Sequence, residues 1–353
     1  MRVVGDARPV LVTGGAGFIG SNLADRLATA GHDVLVYDAL ARPGVEANLA
    51  WLRRRHPSRI TSVIADVRDR PALDHAVGQA SAVFHLAAQV AVTTSIDQPE
   101  QDFDINLRST IYVLEALRRA PVPLVFASTN KVYGDLADIA LARDGDAYLP
   151  QDAALRSHGI GEDRPLSFYT PYGCSKGAAD QYVLDYARGY GLPACVLRMS
   201  CIYGPRQLVT EDQGWLAHFL YSVQAGRPIS IYGDGRQVRD VLYVDDAVDA
   251  YMAAWGRIGD VAGQAFNLGG GAANAVTLLQ ILAEIAELTG RSPDLRFSDW
   301  RPGDQRYFVA DTRRAQAALG LRPAVGWRDG LQRLADWIAM ERPRREHAVA
   351  AGA

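Results

Sequence analysis

From Pro9 to Arg198 the chain alternates short apolar runs with segments of helical length. The runs are Pro9 to Thr13, Val34 to Tyr37, Ile60 to Ile64, Ala82 to Leu86, Leu124 to Ala127 and Ala194 to Leu197. Each gives way to a small or polar residue, among them Gly14, Asp38, Ala87, Ser128 and Arg198. Runs this short, apolar at nearly every position rather than at alternate ones, predict strands buried on both faces. After the first run, Leu23, Ala24, Leu27 and Ala28 recur at helical spacing, and Gly31 stands where a left-handed residue closes a helix. Strands linked through helices pair in parallel by right-handed crossovers, so the pattern predicts an α/β protein built on a doubly wound parallel sheet. Ligands bind such sheets beyond the carboxyl ends of the strands, which singles out the residues that end each run.

Two stretches depart from the alternation. Residues 134–168 are rich in Gly, Asp and Pro and long for a plain connection, which predicts an inserted lid or substrate loop. Beyond Gly204 the pattern breaks, then resumes with a strand at Gln237 to Tyr243, a helix opening near Asp245, and an amphipathic helix from Thr277 to Leu288 closed by Gly290. These breaks predict a cofactor domain from residues 1–204 and 237–262, a smaller, discontinuous α/β substrate domain from 205–236 and 263–340, and a flexible tail at 341–353. A length of 353 residues suits one large domain or two coupled ones.

Charge narrows the partners. Lys plus Arg number 37 against 40 for Asp plus Glu, so a formal net charge of -3 supplies no field to gather polyanions, and nucleic acid and anionic membrane are set aside. Three cysteines argue against a disulfide framework and fit a reducing compartment. Met1 to Arg8 has no apolar signal region and no stretch approaches about 18 apolar residues, so the expectation is a cytoplasmic protein.

The first strand runs into Thr13-Gly14-Gly15-Ala16-Gly17-Phe18-Ile19-Gly20. Glycines let a backbone approach a pyrophosphate, and the helix that follows offers it free N–H groups and a positive dipole end. Asp38 ends the next strand, about twenty residues on, where a carboxylate meets the ribose hydroxyls of a dinucleotide. It would repel a 2′-phosphate and favours NAD over NADP, with Arg42 close by as a counterweight. The second constellation is Tyr172-Gly173-Cys174-Ser175-Lys176, in which phenol and ammonium share one helix face. A unit charge about 4 Å away at an effective dielectric near 20 is worth roughly 4 kcal/mol, enough to bring a tyrosine from about 10 toward 7, where it serves as a general base.

Together, Thr13 to Gly20, Asp66-Val67, His85-Leu86-Ala87-Ala88 and the Tyr172/Lys176 pair resemble the extended short-chain dehydrogenase/reductase superfamily of sugar-nucleotide enzymes, over about residues 9–310. The resemblance implies a Rossmann-type fold and a retained NAD+, with Thr129, Tyr172 and Lys176 as catalytic residues. It also implies that Asp66 and Val67 meet adenine, that Leu86 to Gln89 and Asn106 serve the cofactor groove, and that Arg239 and Arg301 clamp the substrate diphosphate. The 4,6-dehydratases of the superfamily carry an Asp-Glu pair where this chain has Asn130 and Lys131, and an amide and an ammonium cannot supply that acid and base.

Longer stretches resemble the CDP-paratose 2-epimerase (CDP-tyvelose epimerase) group: Gln89 to Asp97, Ser128 to Asp135, Pro171 to Arg188, Tyr203 to Gln207, and Asp212 to Trp215. Cys201 stands where that group has a small polar residue. The implied reaction is inversion of C2 of an NDP-deoxyhexose through a 2-keto sugar, with Gln89, Thr94, Asn130, Lys131, Cys201 and Arg206 as further substrate contacts, in a homo-oligomer, dimer or tetramer. His85, His158 and His218 are isolated and no metal is assigned. A UDP-sugar 4-epimerase, a net dehydrogenase that releases NADH, and a catalytically silent NAD-binding protein remain the alternatives. Intact Thr129, Tyr172 and Lys176 weigh against the last.

Overall fold

The computed structural model describes residues 8–208 and 214–350, with side chains through Glu341. Seven strands form its large sheet: β1 (Val10–Thr13), β2 (Val34–Asp38), β3 (Ile60–Ile64), β4 (Ala82–His85), β5 (Leu124–Thr129), β6 (Ala194–Met199) and β7 (Ala265–Leu268). They run parallel in the order β7-β6-β5-β4-β1-β2-β3. The first six are the apolar runs of the sequence; β7, four residues between glycine-bearing turns, is an addition to them.

Alternate residues of each strand feed opposite faces. Val10, Val12, Val36 and Phe84 pack with Leu23, Leu27 and Tyr251 on one side. Leu11, Tyr37, Val83 and Phe126 pack with Leu114, Leu117 and Val183 on the other. Each such side chain stabilises the fold by about 1.5–3 kcal/mol relative to exposure, which is why the runs are apolar throughout. Only β3 at the sheet edge shows an exposed apolar residue, Ile64. The strand order reverses beside β1, and a crevice opens there at the carboxyl ends of β1 and β4.

A second sheet joins Cys201–Tyr203, Val238–Tyr243, Ala275–Thr277 and Tyr307–Phe308, while Ile229–Tyr232 pairs with Leu295–Ser298. Its own core gathers Tyr203, Phe219, Ile231, Leu282 and Leu331. The division drawn from the sequence changes at several points, and Cys201–Tyr203, allotted to the cofactor domain, lies in the small sheet. Val238–Tyr243 belongs to the small sheet, although the helix it leads into, Val244–Gly256, packs on the large one. Conversely, residues 265–268, allotted to the substrate domain, are β7 of the large sheet.

Residues 134–168 hold regular structure where a lid or loop was expected. Leu141–Asp144 and Ala147–Pro150 form a hairpin, Ala153–His158 a helix capped by Asp152, and Ile160 bridges to Ala310. The amphipathic helix is Leu278–Thr289, with Thr277 and Gln280 in a capping box and Gly290 closing it at φ 64°. The last helix, Trp327–Ala350, covers most of the segment expected as a tail. Among the described residues no helix is long and apolar enough to cross a membrane.

Candidate active site

A cleft of about 460 Å³ opens over the carboxyl ends of β1, β2, β4 and β5, within the size range of small-molecule sites. The glycine turn forms its floor. Gly14 has φ +68°, and a Cβ there would lie 2.8 Å from the backbone N of Ala87, so only glycine lets β1 and β4 close up at this point. No side chain caps the helix Phe18–Thr29, and Gly17, Phe18, Ile19 and Gly20 at its N-terminus line the cleft. Asp38 braces the turn: its carboxylate accepts from the backbone N–H of Ala16 and of Leu40, each at 2.9 Å. Asp66, Val67, Leu86, Ala87 and Ala88 continue the wall. Open amides at a helix end beside a carboxylate at the end of β2 fit a dinucleotide's pyrophosphate and ribose. Asp66 is partly engaged by Arg68, whose hydrogen bond holds the carboxyl below its usual range. Arg42 also lines the cleft and donates to the Leu208 carbonyl at 3.0 Å.

Thr129 ends β5, and Tyr172 and Lys176 lie on the first turns of the helix Thr170–Tyr190. Thr129 and Tyr172 share a side-chain hydrogen bond, and both face the cleft. Lys176 sits behind them, donating to the Ala127 carbonyl at 2.6 Å and lying 4.3 Å from the Phe126 ring centre. The helical spacing predicted a phenol drawn toward neutrality; the structure differs. Burial pushes Tyr172 up to about 12, and the hydrogen bond from Thr129 only partly offsets it. The reason is that Lys176 is itself desolvated, brought down to about 8 despite Asp180 and Asp102, and points at a carbonyl.

Gln89 and Asn106, expected in the cofactor groove, stand behind it and bond to each other: Gln89 N–H donates to Asn106 Oδ1 at 2.9 Å and Asn106 Nδ2 to the Gln89 carbonyl at 3.0 Å. Asn106 lies in a single π-helical turn, Asp104–Arg108, a feature that recurs at functional sites. The sequence reading passed over their partners, the buried Asp102 and Ser175.

Beside Cys201, which lines the cleft, a cluster is assembled from distant segments, most of whose members do not themselves line it. Lys131, on the 3-10 turn after β5, donates to the Gly303 carbonyl at 3.2 Å and lies 3.9 Å from Asp304. Asp304 in turn pairs with Arg239 at 2.7 Å. Asn130 donates to Gln305 Oε1, Arg301 covers the Tyr232 ring at 3.7 Å, and Cys201 accepts from the Trp215 indole at 3.5 Å. Burial pushes the Cys201 thiol up, as suits a packing group. Thr94 is half-buried on the helix Val92–Asp97. Arg206 does not join this cluster: its guanidinium stacks on Trp51, 3.3 Å from the ring centre. Of the stretch Asp212 to Trp215, the first two residues lie outside the described ones.

A family model, the NAD dependent epimerase/dehydratase family, matches residues 10–269. The chain belongs to that family. It is 40% identical over 341 residues to a CDP-paratose 2-epimerase of Salmonella typhi, covering 94% of this chain and 99% of that one. Among solved structures, UDP-glucose 4-epimerase of Thermotoga maritima with UDP-glucose superposes with a TM-score of 0.80 at 30% identity, covering 94% of this chain and 99% of that one. The Thermus thermophilus UDP-glucose 4-epimerase complex with NAD gives 0.78 at 32%, with the same coverage.

Within this epimerase/dehydratase chain one signal in the sequence went unread. Its basic residues include just two lysines, Lys176 behind Tyr172 and Lys131 in the cluster beside Cys201; every other one of the 37 is arginine. Asp304 lies three residues after Arg301, and Ser175 stood inside the Tyr172 to Lys176 motif. Asp102 is four residues before Asn106, on the same helical face, and was the one buried acid there with no motif to announce it.

Proposed function

We propose that this chain is an NAD-dependent epimerase that inverts C2 of an NDP-deoxyhexose of the CDP-paratose/CDP-tyvelose kind, through a transient 2-keto sugar. The observation that carries the reading is the end of β5. Tyr172 meets its hydroxyl partner Thr129 there, with Lys176 behind, followed by Asn130 and Lys131 where elimination of a sugar hydroxyl would need an acid and a base. The likeness to a CDP-paratose 2-epimerase along nearly the whole of both chains supports C2 as the carbon inverted.

NAD+, when bound, would supply the acceptor and later the donor of a hydride at C2, and would bring a positive charge of its own to the cleft. The chain's own residues do the rest. Tyr172 takes the proton of the C2 hydroxyl as the carbonyl forms and returns it on re-reduction, with Thr129 hydrogen-bonded to the phenol and Lys176 holding positive charge behind it. Arg239 and Arg301 hold the diphosphate, so that the hexose turns over while its anchor stays. Asp304 now occupies Arg239, and a phosphate exchanging for that carboxylate keeps the arginine paired throughout.

Substrate carrying deuterium at C2, turned over by the holoenzyme in ordinary water and read by NMR, tests this. The label is expected to remain at C2 of the inverted product. Label lost to solvent, or inversion at C4 with C2 untouched, overturns the C2 reading. The second outcome is that of a 4-epimerase, the reading favoured by likeness to the Thermotoga maritima enzyme.

A further inference from the structure

Asp102 lies on the short helix Pro99–Phe103 with no exposed surface, and its partners there are neutral. Ser175 Oγ donates to Oδ2, while Gln89 Nε2 and Asn106 Nδ2 donate to Oδ1 at 3.1 and 3.0 Å. A buried carboxylate met by neutral donors is costly to keep, and leucine or asparagine would fill the space more cheaply. Its position explains its presence. Ser175 is the residue before Lys176 and lies one turn after Tyr172, whose own N–H donates to the buried Ser95 at 3.2 Å. The segment 89–106 thus grips the helix Thr170–Tyr190 at two points, residues 172 and 175. Through Gln89 the same segment continues directly from the wall formed by Leu86 to Ala88.

We propose that Asp102 is a positioning residue for the proton transfer: through Ser175 it sets the Tyr172–Lys176 turn against the cofactor wall, and its buried negative charge holds Lys176 in the ammonium form. This rests on Tyr172 and Lys176 being the proton-transfer pair. The groups facing Lys176 are few. Asp180 lies one turn on and is held bidentately by Arg198 of β6, at 2.9 Å twice. His85 of β4 is kept neutral, brought down to about 3 by burial and by Lys176 itself. Tyr172 lies one turn back, with Thr129 beside it. Farther along the helix and its neighbours, Asp104 pairs with Arg108, and Glu115 with Arg118 and Tyr186. Asp102 therefore adds, with Asp180, negative charge that partly offsets desolvation of the ammonium, and it raises Tyr172 as well.

The test compares wild type, Asp102→Asn, Asp102→Glu and Ser175→Ala as NAD-loaded proteins. In Asp102→Asn the expected result is a fall in kcat of tenfold or more with KM within about threefold. Both limbs of the pH profile should move to lower pH by about one unit, because loss of a neighbouring negative charge eases proton release from both groups. Asp102→Glu should restore the limbs and part of kcat. Ser175→Ala, which breaks the link and keeps the charge, should lower kcat severalfold with the limbs unmoved. Since the chain has two lysines, ε-13C-lysine NMR gives two side-chain signals, and the Lys176 midpoint near pH 8 should fall in Asp102→Asn without any sugar present. Unmoved limbs and an unmoved Lys176 midpoint in Asp102→Asn overturn the proposal, as does an unaltered kcat in Ser175→Ala. The NMR arm decides it even if no NDP-sugar is epimerised, and the Ser175 variant decides it if Asp102→Asn does not fold.

Discussion

The cofactor wall of the cleft and the proposed substrate wall beside it are held by different kinds of contact. On the cofactor side, Gly14 fits against Ala87, Asp38 braces Ala16, and Thr129 meets Tyr172, all at ends of adjacent parallel strands or on the helix laid across them. Those positions follow from sheet register and a fully buried core, so they are set before any ligand arrives. On the substrate side, Lys131 reaches Gly303, Arg239 reaches Asp304, and Trp215 reaches Cys201, side chains from separate segments satisfying one another. On the proposed function, such contacts would exchange for those of a diphosphate. The contrast suits an epimerase that must keep one ligand fixed through a cycle while the other binds, turns and leaves.

Substitutions on either wall should separate in their kinetics. The largest effect is expected from Tyr172→Phe, which removes the proton carrier and leaves the ring packed: kcat should fall by about 10²- to 10⁴-fold with NAD content and KM little changed. A rate within tenfold of wild type would take Tyr172 out of the chemistry. Arg239→Met should act on the other wall. Loss of a charged hydrogen bond, about 1.5–3 kcal/mol, predicts a KM for the NDP-sugar raised roughly 10- to 100-fold with kcat within about threefold. Should Arg239→Met instead lower kcat and spare KM, the substrate wall would be part of the catalytic machinery and the division would fail.

The same division governs how much the sequence revealed. Buried parallel strands and a glycine turn have local signatures, so β1 to β6, the turn, Asp38 and the Tyr172/Lys176 pair were legible. Strand β7 was not, because Ala265–Leu268 is four residues long and flanked by glycines, too short for any period to emerge. The hairpin at 141–150 escaped for a related reason: its first strand is polar and mostly exposed, and its packing comes from Val238 and Tyr307 across the sheet. Arg206 was read from a motif as a sugar contact, but stacking on Trp51 of the helix Val45–Arg55 depends on a tertiary neighbour that no spacing encodes. The pairing of Arg239 with Asp304 was hidden likewise, although Arg239 was in view. Tyr172 shows a subtler limit, since helical spacing gave the right neighbour and the wrong sign: burial, which a sequence does not display, outweighs the charge.

A smaller effect separates the walls by pH. His85 ends β4 beneath the cofactor wall, 1% exposed, bonded to Thr13 Oγ1 at 2.7 Å and near Thr110 Oγ1 at 3.3 Å. Burial, helped by Lys176, brings it down to about 3, so the folded protein refuses a proton that the unfolded chain accepts near pH 6.5. Its contribution is intact above pH 6.5 and is lost as the pH falls toward 3, amounting to about 2 kcal/mol between pH 8 and pH 5. Urea unfolding of wild type and His85→Gln at both pH values measures it: the wild type should lose about 2 kcal/mol more than the variant on acidification. Equal losses in the two proteins would mean that His85 takes up its proton in the folded state, and that the cofactor wall is less closed to water than its packing implies.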